Sequence, residues 1–270
     1  MSFIGRAGSI PAPGTHFLYT HTFKLKINNK LEILIKNSIV THTVQMEGNL
    51  LEAIIFDMDG VVADSEPLHI KAENQTLAPF NVKVTEEDYH KFMGRSPELL
   101  LESLVEKYSI DVKMQELLSV HKKNLLQLYK KEVKPIKGAL ELIQWFSEKK
   151  YCLALASSSN DKLVESVISK FKIRNMFNAV VSGSEVKNIK PSPEIFLKAS
   201  SKVFVSPEKC LVIEDSTAGV KAARSAGMHC IGFRSPHSPG QDLSSADMII
   251  DDLTVLLNKL HHQNLDETVF

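Results

Sequence analysis

The sequence predicts an α/β protein: a parallel sheet with helices on both faces, interrupted after its first strand by an all-helical insertion. Two patterns predict it. Short apolar runs at 53–56, 152–156, 179–181, 210–213 and 229–232 alternate with segments of helical length, and parallel strands need such crossover connections. Between the first and second runs, residues 65–131 keep a helical pattern throughout. In sheets of this kind ligands collect beyond the carboxyl ends of the strands, so chemistry is expected just after each run.

Taken in chain order, residues 1–48 stand apart. They carry a single acid before Glu47, which is Glu32, and a Pro/Gly-containing start, Ile10-Pro11-Ala12-Pro13-Gly14, without a helical face. They read as an N-terminal extension, disordered or not native, with Met46 as the natural start. The single Arg6 argues against an Arg-rich targeting presequence. After the first strand, Asp64-Ser65-Glu66-Pro67 offers capping oxygens and a proline suited to a first helical turn, so a helix begins near Ser65. Leu99, Leu100, Leu104 and Tyr108 mark one helical face of the insertion, and Leu117, Leu118, Leu125 and Leu128 another. Pro135 and Gly138 punctuate the return. The expected division is a core of 49–64 with 134–270, and an insertion of 65–133.

Composition narrows the function classes. In 270 residues, 24% are charged and the formal net charge is zero, which describes a globular protein with no attraction to polyanions. The basic stretch Lys130-Lys131-Glu132-Val133-Lys134 reads as a solvated helix end, so no nucleic-acid partner is expected. No apolar stretch is long enough to span a bilayer, so no membrane partner is expected either. Cys152, Cys210 and Cys230 lie in or beside apolar runs and form no metal-ligand spacing, as in reduced, cytoplasmic proteins. Oligomeric state is not encoded in any motif, and a monomer is the starting expectation.

The first run ends in Asp57-Met58-Asp59-Gly60, two acids one residue apart where the chain must turn. A buried strand ending in two carboxylates needs a cation or a reaction to justify their desolvation. The later runs lead to Ser157-Ser158-Ser159-Asn160, to Lys190-Pro191, and to Glu214-Asp215. Singly, Ser157 reads as a turn residue, Lys190 as a surface lysine and Glu214-Asp215 as helix caps. Together, the carboxylates Asp57, Glu214 and Asp215, with a backbone carbonyl near Asp59, suit Mg2+, a hard cation that keeps waters and a substrate phosphate. Without a His or Cys set, zinc is disfavoured. Ser157, at a strand-to-helix turn, suits an oxyanion, and a fixed Lys190 ammonium suits a transferring phosphoryl group.

Asp57-Met58-Asp59-Gly60-Val61-Val62-Ala63-Asp64-Ser65-Glu66, the Ser157 station, Lys190-Pro191-Ser192-Pro193 and Glu214-Asp215-Ser216-Thr217-Ala218-Gly219 together resemble the four ordered motifs of the haloacid-dehalogenase-like hydrolases. The match runs from about residue 51 to 253. The helical insertion resembles the cap of the branch that includes β-phosphoglucomutase and small-molecule phosphatases. That resemblance implies a Rossmann-like core and hydrolysis of a small phosphorylated metabolite, such as a sugar phosphate. It makes Asp57 the nucleophile that forms an aspartyl-phosphate and Asp59 the general acid and base. Ser157, Ser158 and Lys190 hold phosphate; Asp57, Asp59, Glu214 and Asp215 hold Mg2+. A phosphosugar mutase and a catalytically silent binding protein are the alternatives. β-Phosphoglucomutase has a Lys just before a cap glycine and an Arg three residues after it; here Met93 and Pro97 flank Gly94 at those places, which favours hydrolysis. Substrate choice is expected from the cap, with His69, Arg95 and Ser96 as candidates.

Overall fold

The computed structural model describes residues 24–27, 31–34, 51–85, 88 and 97–266. Six strands form one parallel sheet: β3 (Ala53–Phe56), β6 (Cys152–Ser157), β7 (Ala179–Ser182), β8 (Cys210–Glu214), β9 (His229–Phe233) and β10 (Met248–Ile250). Their spatial order is β10-β9-β8-β3-β6-β7. The first strand in sequence therefore lies in the middle, with β6 on one side and β8 on the other. The chain runs outward on one side and returns to start again on the other, which makes the end of β3 the crevice where this architecture binds ligands.

Alternation along the strands divides the interior into two layers. Ile54, Phe56, Leu153, Leu155, Leu211 and Ile213 face one layer, covered by helices α4 (Ala139–Glu148) and α5 (Asp161–Phe171) and by α8 (Leu253–Asp266). Ala53, Ile55, Ala154, Ala156, Val212 and Cys230 face the other, under α6 (Glu194–Lys202) and α7 (Thr217–Ser225). The first layer is aromatic: Phe56 meets Phe146 and Phe177 edge-on, with centroids 6.3 and 6.2 Å apart. The three cysteines are free, and burial pushes Cys210 up to about 12, so the core reading of it stands. Among the described residues no helix is long and apolar enough to cross a membrane.

The insertion leaves and re-enters the core through β4 (Ala63–Asp64) and β5 (Lys134–Pro135), which pair antiparallel. It holds α1 (Glu66–Leu77), α2 (Pro97–Lys107) and α3 (Met114–Glu132). Leu77, Val82, Val84, Leu100, Leu101, Leu104 and Leu117 form a separate small core. The expected face of α2 is corrected by one step: Leu99 and Tyr108 are exposed, and Leu101 is buried with Leu100 and Leu104. Ser65 precedes α1 but makes no capping hydrogen bond through its side chain; its hydroxyl is used elsewhere.

Three further strands were not expected from the sequence. β10 is only three residues long. In the N-terminal extension, β1 (Lys24–Ile27) and β2 (Leu31–Leu34) pair antiparallel, in keeping with the alternation of Leu25 and Ile27 with Lys24 and Lys26.

Phe146 is buried against Phe56, Trp145 and Tyr151. Phe146→Ala is expected to lower stability by about 3–5 kcal/mol in urea unfolding. A loss under about 1 kcal/mol would show that this layer does not hold the helices to the sheet.

Candidate active site

The site starts at the end of β3. Asp57 N–H donates to the Ile213 carbonyl at 3.0 Å, a last rung of the sheet, after which Val62 and Ala63 N–H donate to the Met58 carbonyl at 2.9 and 2.8 Å and close a tight turn. Gly60 sits in that turn at φ 81°. A Cβ on Gly60 would lie 2.0 Å from Asp215 Oδ2, and one on Gly219 would lie 1.7 Å from Glu214 Oε1. Glycine at these two places lets the acids after β8 approach the turn after β3 and the first turn of α7.

One carboxylate oxygen each from Asp57, Glu214 and Asp215 lies within 4.8 Å of the others, and all three residues are buried. The Lys190 ammonium contacts Asp57 Oδ1 and lies 2.7 Å from Glu214 Oε1, with the Phe196 ring centroid 4.8 Å away. Glu214 Oε2 accepts from Ser216 N–H at 2.7 Å and from the Ser216 hydroxyl at 2.9 Å. The Ser238 hydroxyl donates to Asp215 Oδ2 at 2.7 Å. The sequence had offered no reason to single out Ser238.

Asp59 has a different setting. Its Oδ1 accepts from the hydroxyls of Ser65 at 2.8 Å and Tyr129 at 2.7 Å; its Oδ2 accepts from Ser157 at 3.1 Å and Ser159 at 2.8 Å. His69 Nε2 lies 3.1 Å from the Tyr129 hydroxyl, so this candidate reaches Asp59 through one phenol. Ser157 was expected to face phosphate, but its hydroxyl turns to Asp59 and also accepts from Ser159 N–H at 3.0 Å. Ser158 does line the cavity. Tyr129, Ser65 and Ser159 were not expected as partners of Asp59. Arg95 and Ser96 lie outside the described residues.

The electrostatics separate the two acids of the first motif. Burial pushes Asp57 up to about 8; Lys190 opposes the rise, and Glu214 and Asp59 add to it. Burial, then the charges of Glu214 and Asp57, raise Asp215 well above the carboxylate range. Burial works against the charge of Lys190, yet Asp57 and Glu214 raise it above an ordinary lysine. Burial and the neighbouring Asp59 also raise Tyr129, which keeps its proton and donates it. Ionised together, three buried carboxylates facing one ammonium would carry an excess of negative charge, and the donor set is oxygen only. That combination fits a hard divalent cation such as Mg2+.

Asp57, Asp59, Lys190 and Asp215 line one end of a cavity of about 480 Å³, and His69, Glu73, His121 and Lys122 of the insertion line the other.

The chain belongs to the haloacid dehalogenase-like hydrolase family, which residues 54–233 match. Among its relatives is the phosphorylated carbohydrates phosphatase of Thermotoga maritima, 36% identical over 186 residues, or 67% of this chain and 84% of that protein. The β-phosphoglucomutase of Bacillus subtilis is 29% identical over 227 residues, 80% of this chain and 96% of that one. A solved mutant of CbbY from Rhodobacter sphaeroides, in complex with xylulose-(1,5)bisphosphate, has a TM-score of 0.69 at 25% identity, covering 78% of this chain and 99% of its own. The α/β core expected from the strand pattern is the fold these relatives share.

Raised carboxyls give the site a signature in stability. Between the ordinary value of 3.8 and about 8, the folded protein keeps a proton on Asp57 that the unfolded chain has lost, so stability falls as pH rises through that window. A divalent cation on the cluster stabilises the ionised carboxylates against the burial and repulsion behind the fall. Mg2+ is therefore expected to raise the thermal midpoint more at about pH 8 than at about pH 5. An equal rise at both, or none, would speak against a cation at these carboxylates.

Proposed function

We propose that the protein is a Mg2+-dependent phosphatase of a small phosphorylated metabolite, a sugar phosphate by class, working through an aspartyl-phosphate on Asp57. The observation that carries this reading is Asp57 itself: a buried carboxylate at the central strand end, touched by Lys190, opening on the same cavity as Asp59. The relatives include both a carbohydrate phosphatase and a mutase, which agrees with this chemistry.

In this reading a carboxylate oxygen of Asp57 attacks phosphorus, and the bond to the leaving oxygen breaks as Asp59 gives that oxygen a proton. Asp59 then takes a proton from the water that attacks the aspartyl-phosphate, which frees Asp57 and releases phosphate. Lys190 stands against Asp57, where it screens charge on the transferring group. Ser157 and Ser158 lie at the mouth of α5, where a phosphoryl oxygen finds backbone N–H groups. Asp57, Asp215 and the Asp59 carbonyl would hold Mg2+, with Glu214 beside them fixing Lys190; when bound, the ion neutralises phosphoryl oxygens. The four hydroxyls around Asp59 hold its carboxylate in place.

Hydrolysis is favoured over internal transfer by the insertion's wall of the cavity. Glu66, Glu73 and Glu98 line it, and Lys122 on the same wall lies 3.9 Å from Glu98. A sugar bisphosphate intermediate would present its second phosphate to these carboxylates.

Asp57→Asn is expected to abolish Mg2+-dependent phosphate release while leaving the fold intact. Asp59→Asn should cost on the order of 10²–10⁴ in rate with alkyl phosphates, and far less with an activated aryl phosphate that leaves without a proton. Full turnover by folded Asp57→Asn, or equal losses on both substrates for Asp59→Asn, would contradict the assigned roles.

A further inference from the structure

A buried pair on the insertion's side of the cavity takes no part in the phosphoryl-transfer steps above. Glu73 on α1 and His121 on α3 are 1% and 2% exposed, yet both line the cavity that reaches Asp57. Glu73 Oε1 lies 3.6 Å from His121 Nε2, too far for a hydrogen bond. Among the described residues, Glu73 Oε2 and His121 Nε2 have no hydrogen-bond partner. Their polar neighbours are satisfied: the Thr76 hydroxyl donates to the Ala72 carbonyl at 2.7 Å and accepts from Asn124 at 3.2 Å. A buried polar atom without a partner costs roughly 1–3 kcal/mol. The pair of helices α1 and α3 thus holds two unmet groups on the wall of the cavity that reaches Asp57.

We propose that Glu73 and His121 form the subsite that binds hydroxyl groups of the leaving alcohol, so that the substrate is the monophosphate of a neutral polyhydroxy compound. This rests on the phosphatase reading and deepens it. A hydroxyl gives its one hydrogen to Glu73 Oε2 and accepts from His121 Nε2 when that nitrogen carries the ring proton; in the other tautomer a second hydroxyl of the same compound donates to Nε2. An ammonium only donates, and satisfies Glu73 alone when Nε2 carries the ring proton. A second phosphate only accepts at neutral pH and brings negative charge against Glu73, Glu66 and Glu98. An apolar leaving group leaves both atoms unmet. A pocket built this way rejects analogues that lack the hydroxyl far more strongly than an apolar pocket rejects a size mismatch.

The test compares kcat/KM for the best of a panel of polyol and sugar monophosphates with kcat/KM for 4-nitrophenyl phosphate, which has no hydroxyl to offer. In Glu73→Gln and in His121→Leu this ratio is expected to fall about 10- to 100-fold. The thermal midpoint is read alongside to establish that each variant is folded. A ratio within about twofold of wild type, or a wild-type preference for phosphoethanolamine or a sugar bisphosphate over every neutral polyol phosphate, would overturn the subsite and leave the phosphatase standing. Wild-type protein that turns over none of these compounds would instead overturn the phosphatase reading, and the subsite with it.

Discussion

Lys190 lies between Asp57 and Glu214 in a pocket where each of the three is nearly closed to water, and the rest of the site is arranged around that contact. Desolvating an ammonium and carboxylates is costly unless each finds a partner. Asp215, the third acid, is left to the Ser238 hydroxyl, and the surplus negative charge is what makes a divalent cation fit. The sheet order sets up the encounter, because β3 and β8 are neighbours and both end at this point. Two glycines permit it: with any side chain at position 60 or 219, the acids after β8 would have to move away.

Asp59 ties this charged centre to the insertion. Ser157 and Ser159 reach it from the end of β6, Ser65 from the start of α1 and Tyr129 from α3. One carboxylate thus collects hydroxyls from both parts of the molecule. The placement of the Asp59 carboxylate thus depends on where α1 and α3 sit, and those same helices carry His69, Glu73 and His121. In the proposed mechanism, the pair that meets the leaving alcohol and the acid that protonates it share a support.

The sequence exposed the core well because buried parallel strands are continuous apolar runs, and because the acids, serines and lysine that follow them are unusual for strand ends. It exposed less where the signal is short or spatial. Met248-Ile249-Ile250 is too brief to stand out from a loop. The alternation of Leu25, Ile27, Leu31 and Ile33 with charged residues was legible as paired strands, but scarce acids and a Pro/Gly start dominated the reading of that segment. Leu99 and Leu101 are equally apolar, and only the packing of α2 decides which is buried. Ser65 looked like a helix cap because a serine before a helix usually is one; its hydroxyl bonds Asp59 instead. Tyr129, Ser238 and the pair of Glu73 and His121 have no local motif. Their positions matter only once α1 and α3 pack together and the loop after β9 folds back.

The central claim is that Asp57 carries the phosphoryl group between substrate and water. Rapid quenching during turnover of a phosphorylated substrate with Mg2+, followed by borohydride reduction, converts an acyl phosphate on an aspartate into homoserine. Peptide mass analysis is expected to find homoserine at position 57 and nowhere else. Steady turnover with position 57 unmodified, or homoserine at position 59, would contradict the account.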